Sequence, residues 1–104
     1  MLTVGQLIKI ARINKKIGQE DLAKKAKVTT NYISLIENDK KDPSLNFLRE
    51  TAKLLDVPFI LLAWDKIDMP KGKTEAEKKI SSQLEKMLAE AQELFAKQAL
   101  GIKR

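Results

Sequence analysis

Residues 17–38 have the sequence IGQEDLAKKAKVTTNYISLIEN, which predicts two short helices joined by a tight turn. Apolar residues at helical spacing mark one face of each predicted helix. These residues are Leu22, Ala23 and Ala26 in the first helix and Ile33 and Ile36 in the second, with Val28 in the turn. Both apolar faces are therefore expected to contact one core.

The same stretch resembles the helix-turn-helix of the phage-repressor family, also described as Cro/cI or XRE-like. Members of that family have a pattern close to Ser-Gln-x-x-Leu-Ala, then Gly-Val-Ser, then Ile-Ser-x-Ile-Glu. The matching positions are Gln19, Leu22, Ala23, Val28, Thr29, Ile33, Ser34, Ile36 and Glu37. The resemblance covers about residues 3–64 and implies an all-α fold: a five-helix, repressor-type domain that binds double-stranded DNA.

Composition excludes several classes of chemistry. The chain has 104 residues, of which 43% are apolar, enough for one compact domain with an appendage. It has no cysteine and no histidine, so disulfides, thiolate catalysis and the commonest general base and metal ligand are all excluded. We therefore expect no enzymatic activity, no metal site and no cofactor.

The charge balance favours a polyanionic partner. Twenty basic residues against fourteen acidic ones give a net charge of +6 and a pI near 9.6. No apolar run approaches the roughly 18 residues that a membrane span needs, and the N-terminus lacks the pattern of a secretory signal. We expect a cytoplasmic protein without membrane contact.

The chain is predicted to have three parts. Pro70 and Gly72 indicate a linker, and Thr74 begins a capping-box pattern that opens a long amphipathic helix. The predicted parts are a helix-turn-helix domain at residues 1–66, a linker at residues 67–73 and a C-terminal amphipathic helix within residues 74–104. The resemblance to the phage-repressor family ends near Trp64.

Two charged residues are expected to pair inside the domain. Arg12 lies one helical turn after Ile8, near the buried side of the first predicted helix. The family resemblance implies that this arginine pairs with Glu37, the glutamate that ends the second helix of the motif. The alternative is that both residues are solvated surface charges.

Two positions of the motif depart from the glycines that are usual in the family. Lys27 occupies the turn, where the backbone is expected to be left-handed at a cost of about 1 kcal/mol for a non-glycine residue. Asn38 and Asp39 follow the second helix, and these two residue types replace glycine best in a left-handed cap. A slightly strained turn is the expected result.

The outer side of the second motif helix carries the candidate base-reading residues. Because Ile33 and Ile36 set the direction of the core, the opposite side is predicted from helical geometry. It carries Asn31, Ser34 and Leu35, with Thr30 flanking them. The Asn31 amide suits a bidentate contact with adenine, and a leucine can contact a thymine methyl group.

A second group of residues is expected to bind DNA phosphates. The resemblance implies this role for Gln19, at the first turn of its helix, and for the basic pair Lys40 and Lys41. Thr29 can cap its helix and contact a phosphate, and Tyr32 is expected to be partly buried with its hydroxyl available to a phosphate. The alternatives are an ordinary polar helix start, a solvated lysine pair and plain packing of the tyrosine.

Apolar surface beyond the motif predicts a protein contact. Residues 57–64 are apolar without a break, and a short helix cannot bury all its faces in one small core. The C-terminal helix carries a stripe made of Ile80, Leu84, Met87, Leu88, Ala91, Leu94 and Phe95. The residues expected at a dimer or partner interface are Phe59, Ile60, Trp64, Leu84, Met87, Leu88, Leu94 and Phe95. The C-terminal helix could instead fold back on its own domain.

Three functions are compatible with these patterns. The leading one is a sequence-specific, homodimeric transcriptional repressor of a palindromic operator. The second is an antitoxin-type regulator whose C-terminal helix binds a toxin or another effector protein. The third is an adaptor resembling multiprotein-bridging coactivators, for which weak, salt-insensitive DNA binding is expected.

Overall fold

A computed structural model describes residues 2–66 and 73–101 of the chain, and all regular elements in these ranges are helical. The elements are α1 (Val4–Asn14), α2 (Gln19–Ala26), α3 (Thr30–Glu37), α4 (Leu45–Leu55), α5 (Phe59–Ala63), a 3-10 turn (Trp64–Lys66) and α6 (Glu75–Ala99). The all-α prediction, with five helices followed by a long C-terminal helix, is confirmed. Most of the predicted linker, residues 67–72, and residues 102–104 lie outside the described residues.

Helix starts follow the capping residues that the sequence offers. The Thr3 hydroxyl accepts a hydrogen bond from the Gln6 backbone N–H at 3.0 Å, and the Gln6 side chain accepts one from the Thr3 N–H at 2.9 Å. Hydroxyls in the same position open α3, α4 and α6, where the capping residues are Thr29, Ser44 and Thr74. Each cap satisfies a backbone N–H that has no partner within its helix, which fixes where the helix begins.

The cap of α6 differs in one detail from the predicted capping box. Thr74 accepts a hydrogen bond from the Glu77 N–H at 3.1 Å, as expected. The Glu77 carboxylate, however, accepts from the backbone N–H of Lys73 at 2.7 Å, one residue before the position that a capping box uses. The Glu77 carboxylate still gives a free backbone N–H an acceptor. Its negative charge also lies beside the positive end of the helix dipole, which is favourable.

Left-handed residues terminate the helices where glycine would be usual. Lys27 has φ +58° and Asp39 has φ +59°, so both predictions of a left-handed backbone are confirmed. Lys16 and Asp56 adopt the same conformation after α1 and α4. Each non-glycine residue in this region costs about 1 kcal/mol, which the packing of the adjoining helices offsets.

The core lies between the first five helices. The largest fully buried apolar side chains are Leu7 and Ile8 from α1, Leu22 from α2, Ile33 and Ile36 from α3, Leu48 from α4 and Leu62 from α5. Ile33 and Ile36 therefore point inward as the sequence pattern predicts. Since the inner side of α3 is fixed by this burial, its opposite side must face outward.

Only the C-terminal half of α6 packs against the body of the protein. Gln92 and Ala96 are buried there, and Leu88, Ala91 and Phe95 pack against the core. This half contacts α1 and α5, which is the fold-back arrangement. The N-terminal half extends away from the body with nearly all of its side chains exposed.

The apolar stripe of α6 consists of two faces instead of one. Residues that face the body are Leu88, Gln92, Phe95 and Ala96, whereas Ile80, Leu84, Met87 and Leu94 are exposed. At about 100° per residue, the centres of these two groups lie about 100° apart around the helix. Ala91 lies between Ile80 and Leu84 in angle but is half-buried. Leu88 and Phe95, which the sequence assigns to an interface, thus pack within their own chain.

Gly5 allows α1 to lie directly against the end of α3. A Cβ atom built on Gly5 would come within 2.1 Å of the Ile36 carbonyl oxygen and 2.7 Å of the Asp39 carboxylate. The first of these neighbours is backbone, so it cannot rotate away. Sequence periodicity gives no sign of this requirement, which arises only when two helices meet.

We predict that Gly5→Ala lowers the free energy of unfolding by about 1–3 kcal/mol, because the added methyl group forces α1 away from α3. Gly18→Ala is the control, since a Cβ at Gly18 has no atom within 4 Å. Its cost should stay below about 1 kcal/mol, the scale of an altered N-cap. Urea denaturation measures both values, and equal losses for the two variants would contradict the close approach of the helices.

Candidate nucleic-acid interface

α2 and α3 form the predicted two-helix motif, and the turn between them is fixed by backbone hydrogen bonds. The N–H of Val28 donates to the carbonyl of Ala23 at 2.9 Å, and the left-handed Lys27 donates to Lys24 at 3.3 Å. Thr29 then caps α3 by accepting from the Tyr32 N–H at 3.0 Å. The turn therefore sets the direction in which α3 leaves it.

The four predicted base-reading residues lie on the outer part of α3. Thr30 and Asn31 are exposed, and Ser34 and Leu35 are half-buried. Within the described part of the chain, Asn31 has no hydrogen-bond partner for its side-chain amide, which leaves two donors and an acceptor available. Ser34 is less free, because the Asn38 amide donates to its carbonyl at 2.8 Å and lies 3.4 Å from its hydroxyl.

Arg12 and Glu37 form a bidentate ion pair at the inner end of α3. The Arg12 Nε donates to one carboxylate oxygen of Glu37 at 2.7 Å, and Nη2 donates to the other at 3.0 Å. The side chains are only 11% and 1% exposed, which distinguishes the pair from the alternative of two solvated charges. Burial and paired geometry make this a strong, orienting interaction.

Gln19 belongs to the same hydrogen-bond network. Its side-chain Nε2 donates to the Glu37 carboxylate at 3.1 Å. The Arg12 Nη1 also donates to the carbonyl of Ile17 at 2.9 Å, two residues before Gln19. One buried network thus connects α1, the start of α2 and the end of α3.

Tyr32 is half-buried, in line with its expected position at the edge of the core. Its ring packs edge-on against Phe47, with centroids 5.1 Å apart and an interplanar angle of 86°. Its hydroxyl accepts a hydrogen bond from the Ser44 N–H at 3.4 Å and can still donate its own proton. The Lys41 ammonium lies 5.6 Å from the ring centroid, a cation–π distance that holds the lysine next to α3.

Lysines that form no salt bridge among the described residues lie beside this face of the motif. Lys40 and Lys41 are exposed, and within residues 2–66 and 73–101 neither forms a salt bridge. Lys25 and Lys27 line a groove with Tyr32 between the motif turn and the start of α4. Sequence reasoning missed these two as phosphate candidates, although their spacing just before α3 could have indicated them.

The predicted interface residues divide by exposure. Phe59 and Ile60 are exposed on α5, with Arg49 lying 5.8 Å from the Phe59 ring centroid, and Trp64 is half-buried. On α6 the exposed members are Leu84 and Met87, 37% and 63% exposed, and Leu94, 55% exposed. Ile80, which belongs to the predicted stripe but not to the predicted interface, is 57% exposed.

Among the described residues there is neither a group of three metal-binding side chains nor a helix that could cross a membrane. Acidic side chains in these ranges do not come together in groups of three that could hold a metal ion. None of the described helices combines the length and apolar character that crossing a membrane requires.

The known proteins to which this chain is similar all belong to one family. A family model described as helix-turn-helix matches residues 8–62. The chain is 30% identical over 89 residues to the immunity repressor protein of Bacillus phage phi105, an alignment that covers 86% of this chain and 62% of the phage protein. It is 35% identical over 89 residues to the HTH-type transcriptional regulator SinR of Bacillus subtilis (strain 168), covering 85% of this chain and 76% of SinR. No solved structure matches at a comparable level.

We predict that Arg12→Ala and Glu37→Ala each lower the free energy of unfolding by about 3–5 kcal/mol, because each leaves a buried charge unpaired. The double variant should lose less than the sum, by at least about 1 kcal/mol. Denaturant melts of the four proteins measure this coupling. Additive losses would mean that the two side chains act independently despite their geometry.

Proposed function

This chain belongs to the helix-turn-helix family of DNA-binding transcriptional regulators, and we propose that it acts as a homodimeric repressor of a palindromic operator. The observation that carries the proposal is the exposed outer side of α3, which presents Asn31 while Ile33, Ile36 and Glu37 hold the helix from within. The name of the phage relative, an immunity repressor, favours repression over activation.

Base recognition in this proposal comes from α3 lying in the major groove. A helix that presents short polar side chains on one side fits that groove, where each base pair offers a distinct set of donors and acceptors. Asn31 would accept from N6 and donate to N7 of one adenine, and Leu35 would contact a thymine methyl group. Thr30 and Ser34 would supply further contacts to base edges.

Phosphate contacts in this proposal flank the reading helix. Gln19 stands at the start of α2, where free backbone N–H groups favour an anion, and Lys40 and Lys41 follow α3. Thr29 and Tyr32 lie between these positions and carry hydroxyl groups. These contacts set the register on the duplex but carry no sequence information, so they govern the salt dependence of binding.

Dimer formation in this proposal uses the exposed face of α6. Its exposed apolar residues occur at intervals of four, three and seven, which fits a coiled-coil seam; they are Ile80, Leu84, Met87 and Leu94. Phe59 and Ile60 on α5 add further exposed apolar surface. Two copies related by a two-fold axis would place their α3 helices on half-sites about 10 bp apart or a multiple of that.

A partner protein is the second candidate for the exposed face of α6. An apolar seam of this kind also suits an effector or toxin helix, as in antitoxins with this fold. Whether a second copy or a partner protein covers this face, the proposed role of α3 in DNA binding is the same. The proposal includes no catalytic activity, no cofactor and a cytoplasmic location.

We predict that Asn31→Ala costs about 1–3 kcal/mol on the preferred site and relaxes the base preference at a single position of each half-site. Binding to unrelated duplexes should barely change, because the hydrogen bonds that this variant removes are made to a base. Competition binding on a set of single-substituted operators measures both effects.

Lys40→Ala and Lys41→Ala are the matched comparison for Asn31→Ala. Each should weaken binding to all sequences alike and reduce the salt slope by about one unit for each phosphate that is no longer neutralised. If the lysine variants alter base preference while the Asn31 variant keeps it, the assigned reading face is wrong.

We predict that Leu84→Glu with Met87→Glu converts the dimer to a monomer at micromolar concentration, because the exposed seam cannot bury charged groups. Ser82→Glu is the control, since Ser82 lies about 160° around α6 from Leu84 and is exposed. Sedimentation measures the molecular mass of each protein. If the wild-type protein is monomeric with and without DNA, self-association is excluded. A partner protein is then the remaining candidate to cover the exposed face of α6.

A further inference from the structure

The buried Glu37 carboxylate binds more than its arginine partner. It accepts two hydrogen bonds from Arg12, at 2.7 and 3.0 Å, and a third from the side-chain Nε2 of Gln19 at 3.1 Å. Its side chain is 1% exposed, so these donors provide the stabilisation that water would otherwise give. The third bond brings the start of α2 into contact with this carboxylate.

The bond to Glu37 fixes the orientation of the Gln19 amide. Of the two ends of the amide, only the nitrogen can donate to a carboxylate, so the NH₂ group faces Glu37. The flipped orientation would set the amide oxygen against a carboxylate oxygen, which is repulsive. One N–H of the NH₂ group is used by Glu37, and the other remains to donate to an acceptor outside.

The remaining N–H suits a phosphate oxygen, which can only accept. A single NH₂ group would then bridge two anions, the buried carboxylate and a phosphate at the start of α2. Arg12 makes this arrangement tolerable, because its guanidinium neutralises Glu37 and removes the repulsion that a bare carboxylate would exert on the approaching phosphate. The Arg12 bond to the Ile17 carbonyl also holds the loop that leads to Gln19.

We propose that Arg12 and Glu37 are positioning residues for DNA binding: they orient the Gln19 amide toward the phosphate backbone in addition to joining the helices. This inference rests on the proposed phosphate contact of Gln19. A side chain that is already ordered before binding loses less conformational freedom when it meets the phosphate. Removing the ion pair should therefore weaken DNA binding even where the fold survives.

A double-mutant cycle on DNA affinity tests this inference. The pair variant Arg12→Met/Glu37→Leu replaces both charges by apolar groups of similar volume, so no buried charge is left unpaired. Gln19→Met removes the amide donors from a side chain of similar size. The four proteins for comparison are wild type, the pair variant, Gln19→Met and the triple variant, each measured by fluorescence anisotropy on one duplex at several salt concentrations.

The expected result is a loss of affinity of about two- to tenfold per protomer in Gln19→Met and a similar loss in the pair variant. The triple variant should bind no more weakly than the pair variant, since the amide is no longer oriented there. If the pair had a purely structural role, replacing it would change the melting temperature. Gln19→Met would then reduce DNA affinity by the same factor in the pair variant as in wild type. That outcome overturns the inference.

Order of the Gln19 amide in the wild-type protein gives a second measurement that needs no variant. Side-chain ¹⁵N relaxation should show the Gln19 NH₂ group to be nearly as ordered as the backbone, whereas exposed Gln83 on α6 serves as the mobile reference. Equal mobility of the two amides overturns the positioning role. If Gln19→Met binds DNA as well as wild type, the inference fails while base reading by Asn31 remains intact, so the two proposals are distinguished.

Discussion

The carboxylate of Glu37 is the point on which the DNA-binding half of the molecule depends. It is the last residue of α3, it is buried, and its three hydrogen-bond donors come from α1 and from the first residue of α2. Because a buried carboxylate is costly without such partners, the network ties these three helices into one arrangement. Together with the buried side chains of Ile33 and Ile36, this network sets the direction of the outer side of α3.

α6 has two apolar faces, one packed against its own chain and one exposed. Its inner face covers α1 and α5, where the Gln92 Nε2 donates to the Leu61 carbonyl at 3.1 Å and the Gln92 Oε1 has no hydrogen-bond partner among the described residues. An unpaired buried acceptor costs about 1–3 kcal/mol, so this docking is held mainly by its apolar neighbours. The outer face, with Ile80, Leu84, Met87 and Leu94, remains exposed.

Local features of the fold follow from the sequence, and contacts between elements do not. The left-handed Lys27 and Asp39 were predictable because the turn and cap each require that conformation, whatever surrounds them. The need for Gly5 was not predictable, because it arises from the distance between α1 and the Ile36 carbonyl. Periodicity likewise merged the two faces of α6 into one stripe, since apolar residues about 100° apart form a continuous band.

Within the site, the pairing of Arg12 with Glu37 was implied by the family resemblance. The bond from Gln19 to the same carboxylate was not, because it depends on how closely the start of α2 approaches the end of α3. Gln92 on α6 is a similar case, since nothing in a glutamine's type or spacing indicates that it will be buried. The contacts that these two glutamines make between helices are therefore the part of this molecule that the sequence predicts least.

Selection of binding sites from a random pool of duplex DNA tests the central claim most directly. A dimeric, sequence-specific regulator should enrich a palindromic motif whose half-sites are centred about 10 bp apart or a multiple of that. Each half-site should contain one adenine that the Asn31→Ala protein no longer selects. Enrichment of no motif, or of an asymmetric one that Asn31→Ala selects equally well, would contradict both the dimer and the reading face of α3.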